Sequence, residues 1–203
     1  MIKTLIFDFG DVFINLDKRG AMQNALNLFE IKEFSENLFE TNLLYETGQI
    51  DTPTFIEFYK NKFPKCSEKD VIDAWNYILK DFPIHRLNFL KELHLNNEFR
   101  LLLLSNTNTM HIDFIKAHVP FYEEFKSYFH QFYLSHEIKM RKPDLSTYKY
   151  VLNNSGLKAE ECLFIDDTKE NTDAAEELGI HTWNIDENSE DVVDLFTIKA
   201  NMF

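Results

Sequence analysis

Four short stretches of this chain place chemically capable groups after apolar runs, three directly and one a few polar residues on. Thr4 to Phe7 runs into Asp8, which is followed by Phe9-Gly10-Asp11-Val12. A carboxylate there can attack phosphorus and form an aspartyl-phosphate that water later hydrolyses. Gly10 permits a tight loop and leaves its carbonyl free to point at a metal ion. Leu163 to Ile165 runs into Asp166-Asp167, a pair of hard oxygen ligands. Mg2+ demands octahedral oxygen coordination and takes only one or two carboxylates, keeping several waters. Asp8, the Gly10 carbonyl, Asp167 and a phosphate oxygen would suit it, with Asp166 holding a bound water. Leu101 to Leu104 runs into Ser105-Asn106, whose hydroxyl, amide and backbone N–H groups ahead of a helix can hold an anion. Lys142, before Pro143, offers a point charge for phosphate and partly neutralises the acidic clusters. Each stretch alone has a plainer reading: a loop cap, the start of a helix, a routine N-cap, a solvent-facing lysine. The four together point to chemistry.

Short, near-continuous apolar runs suit parallel strands buried on both faces. Phe132 to Leu134, upstream of Lys142, and His181 to Ile185 supply two more. Helical patterns lie between them. Asp144 can cap a helix ending at Gly156, and Thr168 one ending at Gly179. Alternating strands and helices predict an α/β fold, a doubly wound (Rossmann-like) parallel sheet. In such sheets ligands bind beyond the carboxyl ends of the strands, so all four polar endings should meet in one crevice. The interval 16–82 breaks the alternation and reads as all-helical, with start signals at Thr52-Pro53 and at Ser67 followed by Asp70. The expected organisation is a core of residues 1–15 and 83–203, with a small helical cap, 16–82, inserted after the first strand as a lid over the crevice.

The 203 residues suffice for one α/β core with a modest insert. A formal net charge of −13 argues against nucleic acid or an anionic membrane as partner. It also requires a metal ion and a lysine to reverse the sign locally for an anionic substrate. No apolar run approaches a membrane span, and Asp8 and Asp11 interrupt the first run too early for a signal peptide. Cys66 and Cys162 read as reduced thiols of a cytoplasmic protein. The seven histidines show no metal-ligand spacing; His111 belongs on the helix after Ser105-Asn106. Tyr45, near the Gly48 turn, is a candidate for the pocket wall. The acidic segment from Asp186 to Asp194 reads as a solvated helix face.

Asp8-Phe9-Gly10-Asp11-Val12, Ser105-Asn106-Thr107-Asn108, Met140-Arg141-Lys142-Pro143 and Phe164-Ile165-Asp166-Asp167 with Asn171 resemble, in order, the four motifs of the haloacid-dehalogenase-like hydrolases. The spacing resembles members with a helical cap after the first motif, and most of all the branch of α-D-glucose-1-phosphate phosphatase-like sugar phosphatases. The resemblance implies a Mg2+-dependent phosphatase of a small phosphorylated metabolite. Asp8 would be nucleophile and metal ligand, Gly10 and Asp167 would complete the metal site with Asp166 alongside, and Ser105, Asn106 and Lys142 would hold the phosphoryl group. One departure stands out: Gly10 occupies the position where most of these phosphatases carry the acid that protonates the leaving group. That loss favours esters with good leaving groups, such as sugar 1-phosphates. Two rival readings follow from it, a metal-independent haloacid dehalogenase and a catalytically silent binding protein.

Overall fold

The computed structural model describes residues 1–203. Five parallel strands, β1 (Thr4–Phe7), β2 (Arg100–Ser105), β3 (Gln131–Leu134), β4 (Cys162–Asp166) and β5 (His181–Asn184), form one sheet in the order β3-β2-β1-β4-β5. Each expected apolar run is one of these strands. The register sets Leu5 beside Leu101 and Leu163, and Ile6 beside Leu102 and Phe164. Because side chains alternate across a strand, both faces are apolar. Leu5, Phe7, Leu101, Leu103, Leu163, Ile165 and Trp183 enter the larger core, and Ile6, Leu102, Leu104, Tyr133 and Phe164 the smaller one on the opposite face.

Eleven α-helices accompany the sheet. Between β1 and β2 lie α1 (Lys18–Leu28), α2 (Glu36–Glu46), α3 (Thr52–Lys62), α4 (Glu68–Asn76) and α5 (Ile84–Asn96). After β2 come α6 (Thr109–His118) and α7 (Tyr122–Ser127), and after β3 come α8 (Ser135–Ile138) and α9 (Leu145–Ser155). The chain ends with α10 (Lys169–Glu176) after β4 and α11 (Leu195–Ile198) after β5. Helices α5, α6 and α7 cover the larger core with Leu87, Leu90, Ile112, Ile115 and Phe125. The smaller core is closed by Tyr148 and Val151 of α9 and by Ala174 and Ala175 of α10.

Local signals placed the helix starts to within a residue. Ser67 and Asp70 form the reciprocal capping box of α4. For α3 the cap is Asp51 rather than Thr52, because the longer reach of the carboxylate lets it accept from the Thr54 N–H. The acidic stretch near the C-terminus is no helix face. Asp186 closes a turn by accepting from Ser189 and Asn188, and Asp191 ion-pairs with Arg86 across the fold at 3.0 Å.

Helices α1 to α4 enclose an apolar core of their own that includes Phe29, Leu38, Tyr45, Phe55, Tyr59 and Val71. Two paired segments join this unit to the sheet: the Asn15 N–H donates to the Asp81 carbonyl at 2.9 Å and the Lys80 N–H to the Asn15 carbonyl at 3.0 Å. The turn after α2 packs tightly on α8. Gly48 has φ +62°, and a Cβ there would lie 2.1 Å from the His136 carbonyl oxygen, so only glycine fits.

The larger core is rich in phenylalanine, with Phe7, Phe9, Phe13, Phe82 and Phe125 buried in it. Phe125 is fully buried, with its ring 5.0 Å from Phe9, 5.1 Å from Phe13, 5.0 Å from Phe82 and 5.1 Å from Phe129. Phe9 and Phe13 belong to the loop after β1, so this cluster fixes the loop that follows Asp8. Phe125→Ala is expected to cost about 3–5 kcal/mol in urea unfolding. A loss under about 1 kcal/mol would show that the cluster does not anchor the loop.

Candidate active site

The sheet order reverses between β1 and β4, and the two acidic motifs emerge there side by side. Lys142 lies between them, fully buried, with Nζ 2.8 Å from Asp8 Oδ1 and 2.5 Å from Asp166 Oδ2. Asp166 is satisfied on every side, since it also accepts from the Thr168 N–H at 2.8 Å and from Asn171 Nδ2 at 3.0 Å. Asp8 is engaged only on Oδ1; its other carboxylate oxygen has no protein partner. The Asn106 amide grips the lysine's backbone at both ends, donating to the Lys142 carbonyl at 2.8 Å and accepting from the Lys142 N–H at 2.9 Å. Ser105, beside it at the end of β2, lines the adjoining cavity, and its hydroxyl has no protein partner.

Burial pushes the Asp8 carboxyl up to about 7; Lys142 opposes the rise, and Asp166 and Asp167 add to it. Burial also works against the charge on Lys142, but Asp166 and Asp8 outweigh it and hold the ammonium above its ordinary range. Burial raises Asp167 as well. A protein that assembles three carboxylates, with donor atoms all within 4.8 Å of one another, around one lysine is short of positive charge. The donor set is all oxygen, which suits a hard divalent cation such as Mg2+. Asp8 and Asp167 retain free oxygens for it, whereas both oxygens of Asp166 are engaged by protein donors.

Several neighbours carry no local signal in the sequence. Lys18, in the first turn of α1, ion-pairs with Asp11 at 2.8 Å and with Asp167. Asp11, in the left-handed region at φ 54°, also accepts from the Leu16 N–H at 2.8 Å, so its carboxylate is committed within the loop. A Cβ on Gly10 would lie 2.6 Å from Leu16 Cδ1, so a leucine side chain fills the space a longer residue at position 10 would need. A cavity of about 180 Å3 opens beside Gly10, Ser105 and Asn106; Phe9, Leu79 and Ile115 line it, and so does Glu46 at the end of α2. Tyr45 is not on its wall. Its hydroxyl is turned inward, bonding Thr52 Oγ1 at 2.7 Å and accepting from the Met110 N–H at 3.1 Å. His111 lies on α6 as expected. Its Nε2–H donates to the Trp75 carbonyl at 3.0 Å, and burial lowers its pKa to about 4, which makes it a neutral tie between α6 and α4.

Two expectations follow from these charges. Asp8 has a folded pKa of about 7 against an ordinary 3.8, so the metal-free folded state binds the extra proton. Stability should therefore fall as pH rises between those values. A cation binds the ionised form, so Mg2+ should raise the melting temperature more at about pH 8 than at about pH 5. Equal shifts at both would exclude Asp8 from the metal site. Lys142→Met leaves two buried carboxylates unpaired and should cost about 3–5 kcal/mol in chelator-treated protein, measured by urea unfolding near neutral pH.

Comparison with known proteins agrees with this geometry. The family model for haloacid dehalogenase-like hydrolases matches residues 2–179. A D-ribitol-5-phosphate phosphatase of Bacteroides thetaiotaomicron is 26% identical, with 99% of this chain and 100% of that protein aligned. A HAD family enzyme of the same organism, solved in complex with magnesium and inorganic phosphate, superposes with a TM-score of 0.82 at 33% identity, covering 97% of this chain and 100% of the other. A predicted HAD-like hydrolase from Porphyromonas gingivalis gives 0.83 at 27% identity, covering 98% and 97%. A five-stranded parallel sheet, the four motifs at its carboxyl edge and a match over most of the chain agree: this protein belongs to the haloacid dehalogenase-like hydrolases.

Proposed function

We propose that this protein is a Mg2+-dependent phosphoric monoester hydrolase that acts on a small phosphorylated metabolite, a sugar or polyol phosphate, through an aspartyl-phosphate on Asp8. The observation that carries the reading is the half-engaged Asp8: Lys142 holds Oδ1 at 2.8 Å and leaves the other oxygen free beside the carboxylates of Asp166 and Asp167. The magnesium and phosphate bound by the structural relative, and the polyol phosphate in the curated relative's name, support it.

In this reading an Asp8 oxygen forms the new bond to phosphorus while the ester oxygen departs with its electron pair. Water then cleaves the aspartyl-phosphate, releasing inorganic phosphate and restoring the carboxylate. Lys142 holds the nucleophile and offsets phosphoryl charge, and Ser105 offers its free hydroxyl to a phosphoryl oxygen. Asn106 acts through Lys142, whose backbone it pins. Mg2+, held by Asp8, Asp167 and the Gly10 carbonyl, with Asp166 alongside, would supply electrophilic stabilisation of the phosphoryl oxygens. Residues 16–82 act as the cap that covers the site, in a protein we place in the cytoplasm. No helix is long and apolar enough to cross a membrane. A metal-free dehalogenase would have no use for three clustered carboxylates, and a silent scaffold no use for Lys142 between two of them.

General acid catalysis contributes about 10²–10⁴-fold, and no acid stands at position 10. Rates across aryl phosphates should therefore depend steeply on leaving-group pKa, and sugar 1-phosphates should outrun esters of ordinary alcohols. A flat dependence would reveal an acid elsewhere. Asp8→Asn should abolish turnover of every ester in a panel of phosphorylated metabolites, and chelation of the metal should do the same reversibly. Wild-type turnover by Asp8→Asn would end the assignment.

A further inference from the structure

Glu46 is the one acidic residue lining the cavity beside the phosphoryl end of the site, and no part of the reaction above uses it. It is positioned with care. Its backbone carbonyl accepts from Ser135 Oγ at 2.7 Å, and the same hydroxyl bonds the Thr107 carbonyl at 2.8 Å, tying the end of α2 to the loops after β2 and β3. Its Oε1 accepts from Arg141 Nε at 2.7 Å, from the residue directly before Lys142. Arg141 does not line the cavity; Glu46 does, and its second oxygen has no protein partner. Of the cavity's other polar side chains, Asn106 holds Lys142 and Asn108 and His111 bond each other, while Ser105 keeps the hydroxyl assigned above to the phosphoryl group.

A carboxylate beside a phosphate pocket is a liability unless it has something to receive. It is acceptor-only and can bond hydroxyl donors but not a second anion. We propose that Glu46 is the specificity-determining residue of this site: its free oxygen accepts hydrogen bonds from the hydroxyls of a neutral polyol or sugar chain, and it turns away phosphate esters that carry a carboxylate on the same chain. Rejection of this kind is strong, because an acid placed there would leave two acceptors facing each other without a proton between them. The inference rests on the phosphatase reading and narrows its substrate class.

The test compares a five-carbon polyol 5-phosphate with the 5-phosphate of the corresponding aldonic acid, which share the same departing oxygen and differ in one terminal carboxylate. The readout is the ratio of the two kcat/KM values, neutral over acidic. Glu46→Gln keeps the shape and the acceptor toward Arg141 but offers an N–H₂ donor, so the ratio should fall at least about tenfold, with the acidic ester gaining in absolute terms. Arg141→Gln removes the ion pair but leaves the carboxylate, so the ratio should stay within about threefold of wild type. Equal losses on both esters in Glu46→Gln, or the same shift in Arg141→Gln, would overturn the proposal and leave Glu46 as a tie between α2 and the Lys142 loop. Wild-type hydrolysis of p-nitrophenyl phosphate, with Asp8→Asn as blank, tests the phosphatase reading separately from this ratio.

Discussion

The ammonium of Lys142, sealed from water between Asp8 and Asp166, is the constraint around which the rest is arranged. A buried charge is tolerated only when paired and hydrogen-bonded, and three strand endings contribute to that requirement. The end of β1 supplies Asp8 and the end of β4 supplies Asp166, while Asn106 after β2 grips the lysine's own backbone. From α10, Asn171 saturates the outer face of Asp166. The lysine is thus a structural cation that holds the sheet's carboxyl edge together and the charge that opposes the rise in the Asp8 pKa.

That arrangement leaves a surplus of negative charge, which explains how so acidic a protein can handle an anion. The bulk field of a chain at −13 repels phosphate at a distance, but screening confines that field to roughly a Debye length, about 8 Å at physiological salt. Inside the crevice the local count governs. Lys142 and Lys18 face Asp8, Asp11, Asp166 and Asp167, and a divalent cation would bring the sum to zero. The helical unit takes part in this balance, because Lys18 reaches the rim of the sheet from α1. Glu46, anchored to Arg141, brings the opposite charge to the far wall of the cavity. Docking of α1–α4 therefore shapes the electrostatics of the site as well as its volume.

The aromatic core has a positional role of the same kind. Phe9 and Phe13 flank Asp11, whose left-handed backbone lies in the turn that leads to the paired segments at Asn15 and Lys80–Asp81. The stacked contact of Phe9 on Phe125 and the edge contact of Phe13 give that turn a rigid floor. The nucleophile role proposed for Asp8 would need this, since small displacements of a reacting oxygen cost large factors in rate.

What could be read from residues alone was whatever depends on near neighbours in the chain. Apolar runs of four or five residues specify buried parallel strands, and Ser67 with Asp70 specifies a helix start, because those preferences are set within one turn or one strand. The polar residues at the strand ends were equally legible, since parallel strands deliver their carboxyl ends to one edge whatever lies between. Tertiary structure alone decided which polar atoms remain free there. Asn106 is committed to the Lys142 backbone, Asp11 is taken by Leu16 and Lys18, and Tyr45 turns inward while Glu46, one residue on, faces the cavity. Lys18 and Asp167 lie 149 residues apart in the chain, and Glu46 and Arg141 95 apart. No local pattern encodes such pairs, because they form only when the helical segment packs against the edge of the sheet.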